Sequence, residues 1–123
     1  MLGFNSNLKV YVAIDPCDMR RSFDGLAAQV RNHLKADPAS GAAFLFGNRR
    51  RNMIKILYWD GTGLWVVAKR LEKGTFRWPG HGTSHNGKIS IHPTALSMLT
   101  DGIDLRHGTL RPWYEKPEKN SKT

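Results

Sequence analysis

The residues with the clearest chemistry are basic side chains gathered between positions 49 and 77. The run of three arginines is followed by cations at short spacings, and the full set is Arg49, Arg50, Arg51, Lys55, Lys69, Arg70, Lys73 and Arg77. Guanidinium groups bind phosphate oxygens through paired hydrogen bonds, and lysine supplies a compact positive charge. The pattern predicts a nucleic-acid-binding surface made of these eight residues. A solvated turn that only keeps the protein soluble is the competing explanation.

The distribution of charge along the chain supports the same interpretation. The chain has 123 residues and a formal net charge of +9. Residues 41–90 hold nine Lys or Arg against two Asp or Glu, whereas residues 1–40 and 91–123 each hold five against four. The central block therefore dominates the charge of the molecule, as expected where the partner is a polyanion.

Tryptophans lie among these cations. Trp65 and Trp78 are candidates for stacking on bases or sugars, an interaction worth about 1–3 kcal/mol for each stacked base. For each of them taken singly, burial in the core of a small sheet is the favoured interpretation, because large aromatic side chains are mostly buried.

Carboxylates with a catalytic pattern are sparse. Nucleases of the two-metal type need two or three converging acids, and Asp18 and Asp60 are the best candidates for that role. A hairpin turn explains Asp60 equally well, and a helix cap or an ion pair explains Asp18. We therefore predict that the protein is not an enzyme and has no catalytic residue. A metal-dependent nuclease is the least favoured alternative.

Metal-binding and nucleophilic patterns are weak. His81, His85 and His92 with Cys17 lack the CxxC partner of a structural zinc site, and His81 and His85 lie in a glycine-rich loop. Cys17 has no base beside it in the sequence. The prediction is no metal site and no cofactor.

The cysteine count and the hydropathy of the chain indicate its cellular compartment. A lone cysteine excludes an internal disulfide and fits a reducing compartment. No apolar run approaches the ~20 residues of a membrane-spanning helix. The first residues place no charged region ahead of their apolar part, which argues against a signal peptide. These features predict a cytoplasmic protein without membrane contact.

Hydrophobic periodicity predicts a small α+β domain over residues 1–105, mainly an antiparallel sheet with a central hairpin and two or three helices. Helices are expected at residues 23–36 and 93–100, and strands at 8–14, 43–46, 53–59 and 64–70, with further short strands at 74–78 and 88–92. A polar C-terminal tail, residues 106–123, is expected to be disordered.

The turn of the central hairpin determines which residues lie on each of its two faces. If Asp60 lies opposite Gly63, opposing residue numbers sum to 123, and neither face of the hairpin is purely polar. Such a hairpin is covered on both sides or offers one face to a partner. Its apolar face or an exposed edge strand can also support a homo-oligomer.

Several groups of residues together resemble one known family. They are Asp18-Met19-Arg20 followed by Phe23-Asp24-Gly25-Leu26, then Lys55 with Tyr58-Trp59-Asp60-Gly61, then Lys69-Arg70-Leu71-Glu72, and finally Phe76 with Trp78-Pro79. In this order they resemble the TnpB accessory proteins of insertion-sequence-sixty-six transposons. Cys17 and Gly47 depart from the usual family pattern.

The resemblance implies a bacterial cytoplasmic protein that supports transposition beside a separate transposase. With the basic block, it predicts a non-catalytic accessory protein that binds DNA, either element ends or target, and also contacts the transposase. The alternative is a subunit whose basic block meets an acidic surface of the transposase without touching DNA.

Overall fold

A five-stranded sheet organises the protein in the computed structural model, which describes residues 7–79 and 86–101. The elements in chain order are β1 (Val10–Ala13), α1 (Phe23–Asn32), β2 (Ala43–Gly47), β3 (Met53–Trp59), β4 (Leu64–Arg70), β5 (Lys88–Ile91) and α2 (Pro93–Thr100). The strand order is β4-β3-β2-β1-β5. β1 and β2 pair in parallel, and all other neighbours are antiparallel. The predicted α+β fold is confirmed.

The central hairpin has the predicted register. β3 and β4 pair from Met53 opposite Arg70 to Trp59 opposite Leu64, so that opposing numbers sum to 123. The turn forms because the Asp60 carboxylate accepts the backbone N–H groups of Thr62 and Gly63 at 2.8 and 3.1 Å. Gly61 supplies a φ of 101° that other residues rarely adopt.

Two hydrophobic clusters cover the two faces of the sheet. On one face α1 packs through Leu26, Ala27 and Val30 against Phe44 and Leu57. On the other face α2 and the segment 71–78 cover the strands. Their buried side chains are Leu96, Leu99, Phe76 and Trp78. Burial of these side chains is the main stabilising contribution to the fold, at about 1.5–3 kcal/mol each.

The connection from β1 to α1 runs across one end of the sheet. Cys17 N–H donates to the Gly47 carbonyl on β2 at 2.8 Å, and the Arg21 carbonyl accepts from Lys55 Nζ on β3 at 2.7 Å. The helix then starts at Phe23 and packs against β3 and β4. The parallel pairing of β1 with β2, which this crossover permits, was not among the predictions.

Two local predictions were wrong. Helix α1 ends at Asn32 instead of residue 36, and Lys35 takes a left-handed φ of 53°. Of the two explanations for Asp18, the ion pair is the one observed, since its carboxylate binds Arg20. Residues 74–78 form no strand, but their aromatic side chains are nonetheless buried.

Some predictions concern residues that the structure does not describe. They are the loop histidines His81 and His85 and the tail 106–123. Among the described residues no helix is long and apolar enough to cross a membrane.

Candidate nucleic-acid interface

The turn between β2 and β3 carries the arginine run and is fixed by Asn48. Its Oδ1 accepts the backbone N–H groups of Asn52 and Met53 at 3.0 and 3.1 Å, and its Nδ2 donates to Asn52 Oδ1 at 2.6 Å. Arg49 and Arg50 stand exposed on this turn, and neither side chain makes a hydrogen bond or ion pair with any described residue. Their guanidinium groups are therefore available to an anion.

Arg51 differs from its two neighbours because it faces the protein. Its backbone adopts a left-handed φ of 58°, and Nη2 donates to the Ile14 carbonyl at 2.9 Å. The guanidinium carbon lies 4.7 Å from the centre of the Trp78 ring, a cation–π contact. Burial lowers the pKa of the Arg51 guanidinium from its usual range, and the Asp15 carboxylate opposes the shift. Arg51 thus ties the turn to the sheet, which removes it from the freely accessible cations.

Trp78 is part of the core. Its side chain is 9 % exposed, and Nε1 donates to the Ala13 carbonyl at 2.8 Å. Burial in the core, the favoured interpretation of Trp78, agrees with the structure, because the ring is enclosed by Arg51 and the sheet. Gly47 makes this possible, since a Cβ atom there would lie 2.9 Å from both Arg51 Nη1 and Trp78 Cη2.

The chain after β4 lies beside the arginine turn. Leu71 N–H donates to the Asn52 carbonyl at 2.8 Å, and Phe76 N–H donates to the Arg51 carbonyl at 2.6 Å. This brings the exposed side chains of Arg70, Lys73 and Arg77 to the same end of the sheet as the turn. A cleft of about 270 Å³ lies between the two segments, lined by Arg50, Arg51, Thr75, Phe76, Arg77 and Trp78.

Two further arginines join this end, although the predictions did not include them. Arg20 and Arg21 are exposed in the crossing segment, and the Arg21 carbonyl binds Lys55 Nζ. Arg20 is paired with Asp18 at 2.7 Å, a surface ion pair of the kind that contributes little to stability. Only the parallel β1–β2 pairing reveals that this segment meets the arginine turn, so the sequence alone gave no signal for it.

We call the resulting surface the basic end of the sheet. It consists of eight cations: Arg20, Arg21, Arg49, Arg50, Lys55, Arg70, Lys73 and Arg77. The same segments carry the acids Asp15, Asp18 and Glu72, so positive charge prevails there.

Two further lysines of the central block are bound to backbone carbonyls. Lys69 Nζ donates to the Thr100 carbonyl at the end of α2, 2.8 Å away. Lys88 is 9 % exposed, and its Nζ donates to the Leu34 carbonyl at 2.6 Å while lying 5.6 Å from the Tyr11 ring centre. Lys88 satisfies a carbonyl just after α1, which is a structural role.

Trp65 is exposed, at 44 %, but stands far from the basic end along β4. Its Nε1 donates to Asp60 Oδ2 at 2.8 Å, which holds the indole over the hairpin turn. The structure therefore does not bring Trp65 together with the cations that it was predicted to accompany.

The carboxylates considered for catalysis are engaged in local structure. The Asp60 carboxylate binds the Thr62 hydroxyl and the Trp65 indole besides the turn amides, and Asp18 binds Arg20. Burial raises the pKa of the Cys17 thiol, which disfavours a reactive thiolate. Within residues 7–79 and 86–101, no three His, Cys, Asp or Glu side chains converge as a metal site would require.

Asp60 gives the hairpin a pH dependence. The hydrogen bond from Trp65, and then those from Thr62, hold the pKa of this carboxyl well below its usual range. A lowered folded-state pKa stabilises the hairpin above the unfolded value of about 4, and the contribution is lost as pH falls through the folded value. At pH 7 we expect the wild type to have a higher melting temperature than Asp60→Asn. This difference in melting temperature should narrow below about pH 4. A gap in melting temperature that stays constant down to pH 2 would contradict this role of Asp60.

Comparison with known proteins agrees with the resemblance seen in the sequence. A family model described as IS66 Orf2 like protein matches residues 8–109. Two proteins of Sinorhizobium fredii are similar over most of their length, and both are described as uncharacterized. One, y4hO, is 39 % identical over 107 residues, covering 87 % of this chain and 90 % of its own length. The other, y4jC, is 34 % identical over 119 residues, covering 97 % of this chain and 98 % of its own length.

No solved structure gives a significant match. The family model spans most of the chain, including every described strand and helix. The chain therefore belongs to the IS66 Orf2-like, or TnpB, family of proteins associated with transposition.

Proposed function

We propose that the protein is a non-catalytic accessory factor of DNA transposition that binds DNA through the basic end of its sheet. The observation that carries the proposal is the convergence of three separate segments, 14–21, 48–52 and 70–78, at one end of the sheet with most of their cations exposed. Convergence from distant parts of the sequence is more informative than a run of arginines, since a solvated turn would not need it.

The dimensions of this end suit a phosphate backbone. It extends from β1 to β4, which is three strand spacings or about 14 Å. One DNA strand carries a phosphate about every 3.4 Å along the helix axis, so about four phosphates face such a width. Arg49, Arg50 and Arg77 supply forked donors for them, and Lys73 supplies a point charge.

The proposed binding is electrostatic and reads little sequence. The exposed cations lie on turns and strand ends, and α1 packs on the sheet with an acid, Asp24, in its first turn. No described helix therefore presents a basic face that could enter a major groove. In this proposal the protein acts in the cytoplasm on element ends or target DNA and also contacts the transposase.

Fluorescence anisotropy with labelled duplex and single-stranded oligonucleotides tests the proposal. With about four phosphates neutralised, log K should fall against log salt with a slope of about −3 to −4 on duplex DNA, between about 50 and 300 mM. Absence of binding at the lowest salt would contradict DNA contact. The basic end would then be expected to bind an acidic surface of the transposase, and a pull-down with the transposase would test this.

A further inference from the structure

Strand β4 forms an edge of the sheet, and no strand of the described chain pairs with its outer side. Asp60 N–H donates to the Gly63 carbonyl, and Leu71 N–H donates to the Asn52 carbonyl. Hydrogen-bonded pairs alternate along an antiparallel ladder, so between these two bonds the odd-numbered residues of β4 bind β3. The backbone groups of Leu64, Val66, Ala68 and Arg70 therefore point outward.

The side chains of this edge are unusually apolar for a strand exposed to water. Trp65 and Val67, at 44 % and 38 % exposed, are two of the three large hydrophobic side chains exposed in the described part of the chain. Both lie on one face, beyond the area covered by α2. The bond from Trp65 Nε1 to Asp60 holds the indole in place, so an approaching strand would meet an ordered surface. Edge strands usually carry a central charge, bulge or proline against pairing, and residues 64–68 have none.

We propose that β4 pairs antiparallel with β4 of a second copy of this chain, with the two-fold axis at Val67. This register places Val67 against itself, Val66 against Ala68, Trp65 against Lys69 and Leu64 against Arg70. In this register the even-numbered residues form the hydrogen-bonded pairs, and these are the residues whose backbone groups point outward. It pairs apolar with apolar and aromatic with cation, and it sets no like charges opposite each other.

Charge complementarity also favours a second copy as the occupant. Antiparallel pairing places the two basic ends at opposite ends of the joined strands, which separates the largest like charges. It also brings the Asp60 turn of one copy next to the chain that follows Arg70 in the other, where Lys73 lies. The result is a ten-stranded sheet with a basic end at each of two opposite corners.

Cysteine cross-linking tests this register in the Cys17→Ser background. Non-hydrogen-bonded partners have Cα atoms about 4.5 Å apart, so Val67→Cys should form a disulfide-linked dimer under mild oxidation. Ala68→Cys is the matched control, because its two copies would lie about 9 Å apart, beyond disulfide reach. Failure of Val67→Cys to cross-link, or equal cross-linking of both variants through collision, would overturn the proposal.

Sedimentation equilibrium gives a second test on the protein without added cysteines. Ala68→Pro removes an outward N–H while sparing every bond to β3, so it should raise the dimer dissociation constant about tenfold or more and leave the fold intact. A wild type that is monomeric at tens of micromolar, or a dimer that Ala68→Pro leaves unchanged, would overturn the proposal. Neither test involves DNA, so the outcome is independent of what the basic end binds.

Discussion

Arg51→Ala is expected to destabilise the protein by about 2–3 kcal/mol, although the residue lies within a run of three arginines. The substitution removes a charged hydrogen bond to the Ile14 carbonyl and the contact with the Trp78 ring. The left-handed φ of 58° contributes little to the difference, because arginine and alanine both carry a Cβ atom there. Part of the loss is offset because the buried Nη1, which has no hydrogen-bond partner in the described structure, is removed too. Urea unfolding followed by circular dichroism measures the effect.

Arg49→Ala is the matched control for this prediction. It deletes the same side chain two residues earlier on the same turn, where the guanidinium is exposed, so the expected change is within about 0.5 kcal/mol. Equal stability losses in the two variants would contradict the assignment of Arg51 as the anchor of the turn.

The double variant Arg49/Arg50→Ala is expected to bind duplex DNA more weakly, with a shallower salt dependence. Each of the two exposed guanidinium groups is assigned about one phosphate, so the slope of log K against log salt should decrease in magnitude by about 2. The melting temperature should stay close to that of wild type, because neither side chain contacts any described residue through a hydrogen bond or ion pair.

Lys9→Ala provides the charge control, measured against the single variant Arg49→Ala. Both single variants lose one positive charge and have the same net charge, but Lys9 precedes β1 at the other end of the sheet. A general charge effect would weaken binding equally in both. That result would contradict a localised interface at the basic end.

The elements of the fold were largely predictable because the hairpin has strong local signals. Alternating apolar residues, an Asp-Gly turn and a proline at the first position of α2 defined β3, β4 and α2 at their observed bounds. The parallel pairing of β1 with β2 was not predictable, since it joins strands 30 residues apart whose contact depends on tertiary packing.

The candidate site was only partly predictable for the same reason. A sequence shows where cations are but not which way they face. Arg51 and Lys88 have the same chemistry as their exposed neighbours, yet a left-handed backbone turns one inward and the ladder position buries the other. The sequence does not distinguish Trp65 from Trp78 as candidates for stacking. They differ in the structure because residues 71–78 cover the second face of the sheet and Trp78 is buried there.

DNA binding by the basic end is best examined by a ¹⁵N chemical-shift map of the labelled protein titrated with an unlabelled duplex at low salt. We expect the shifted amides to cluster at residues 20–21, 48–52 and 70–77, because these segments form the basic end. The amides of the turn at residues 60–63, at the opposite end of the hairpin, should not move. Shifts centred on that turn or on β5 and α2, or no shifts at all, would contradict DNA binding by the basic end.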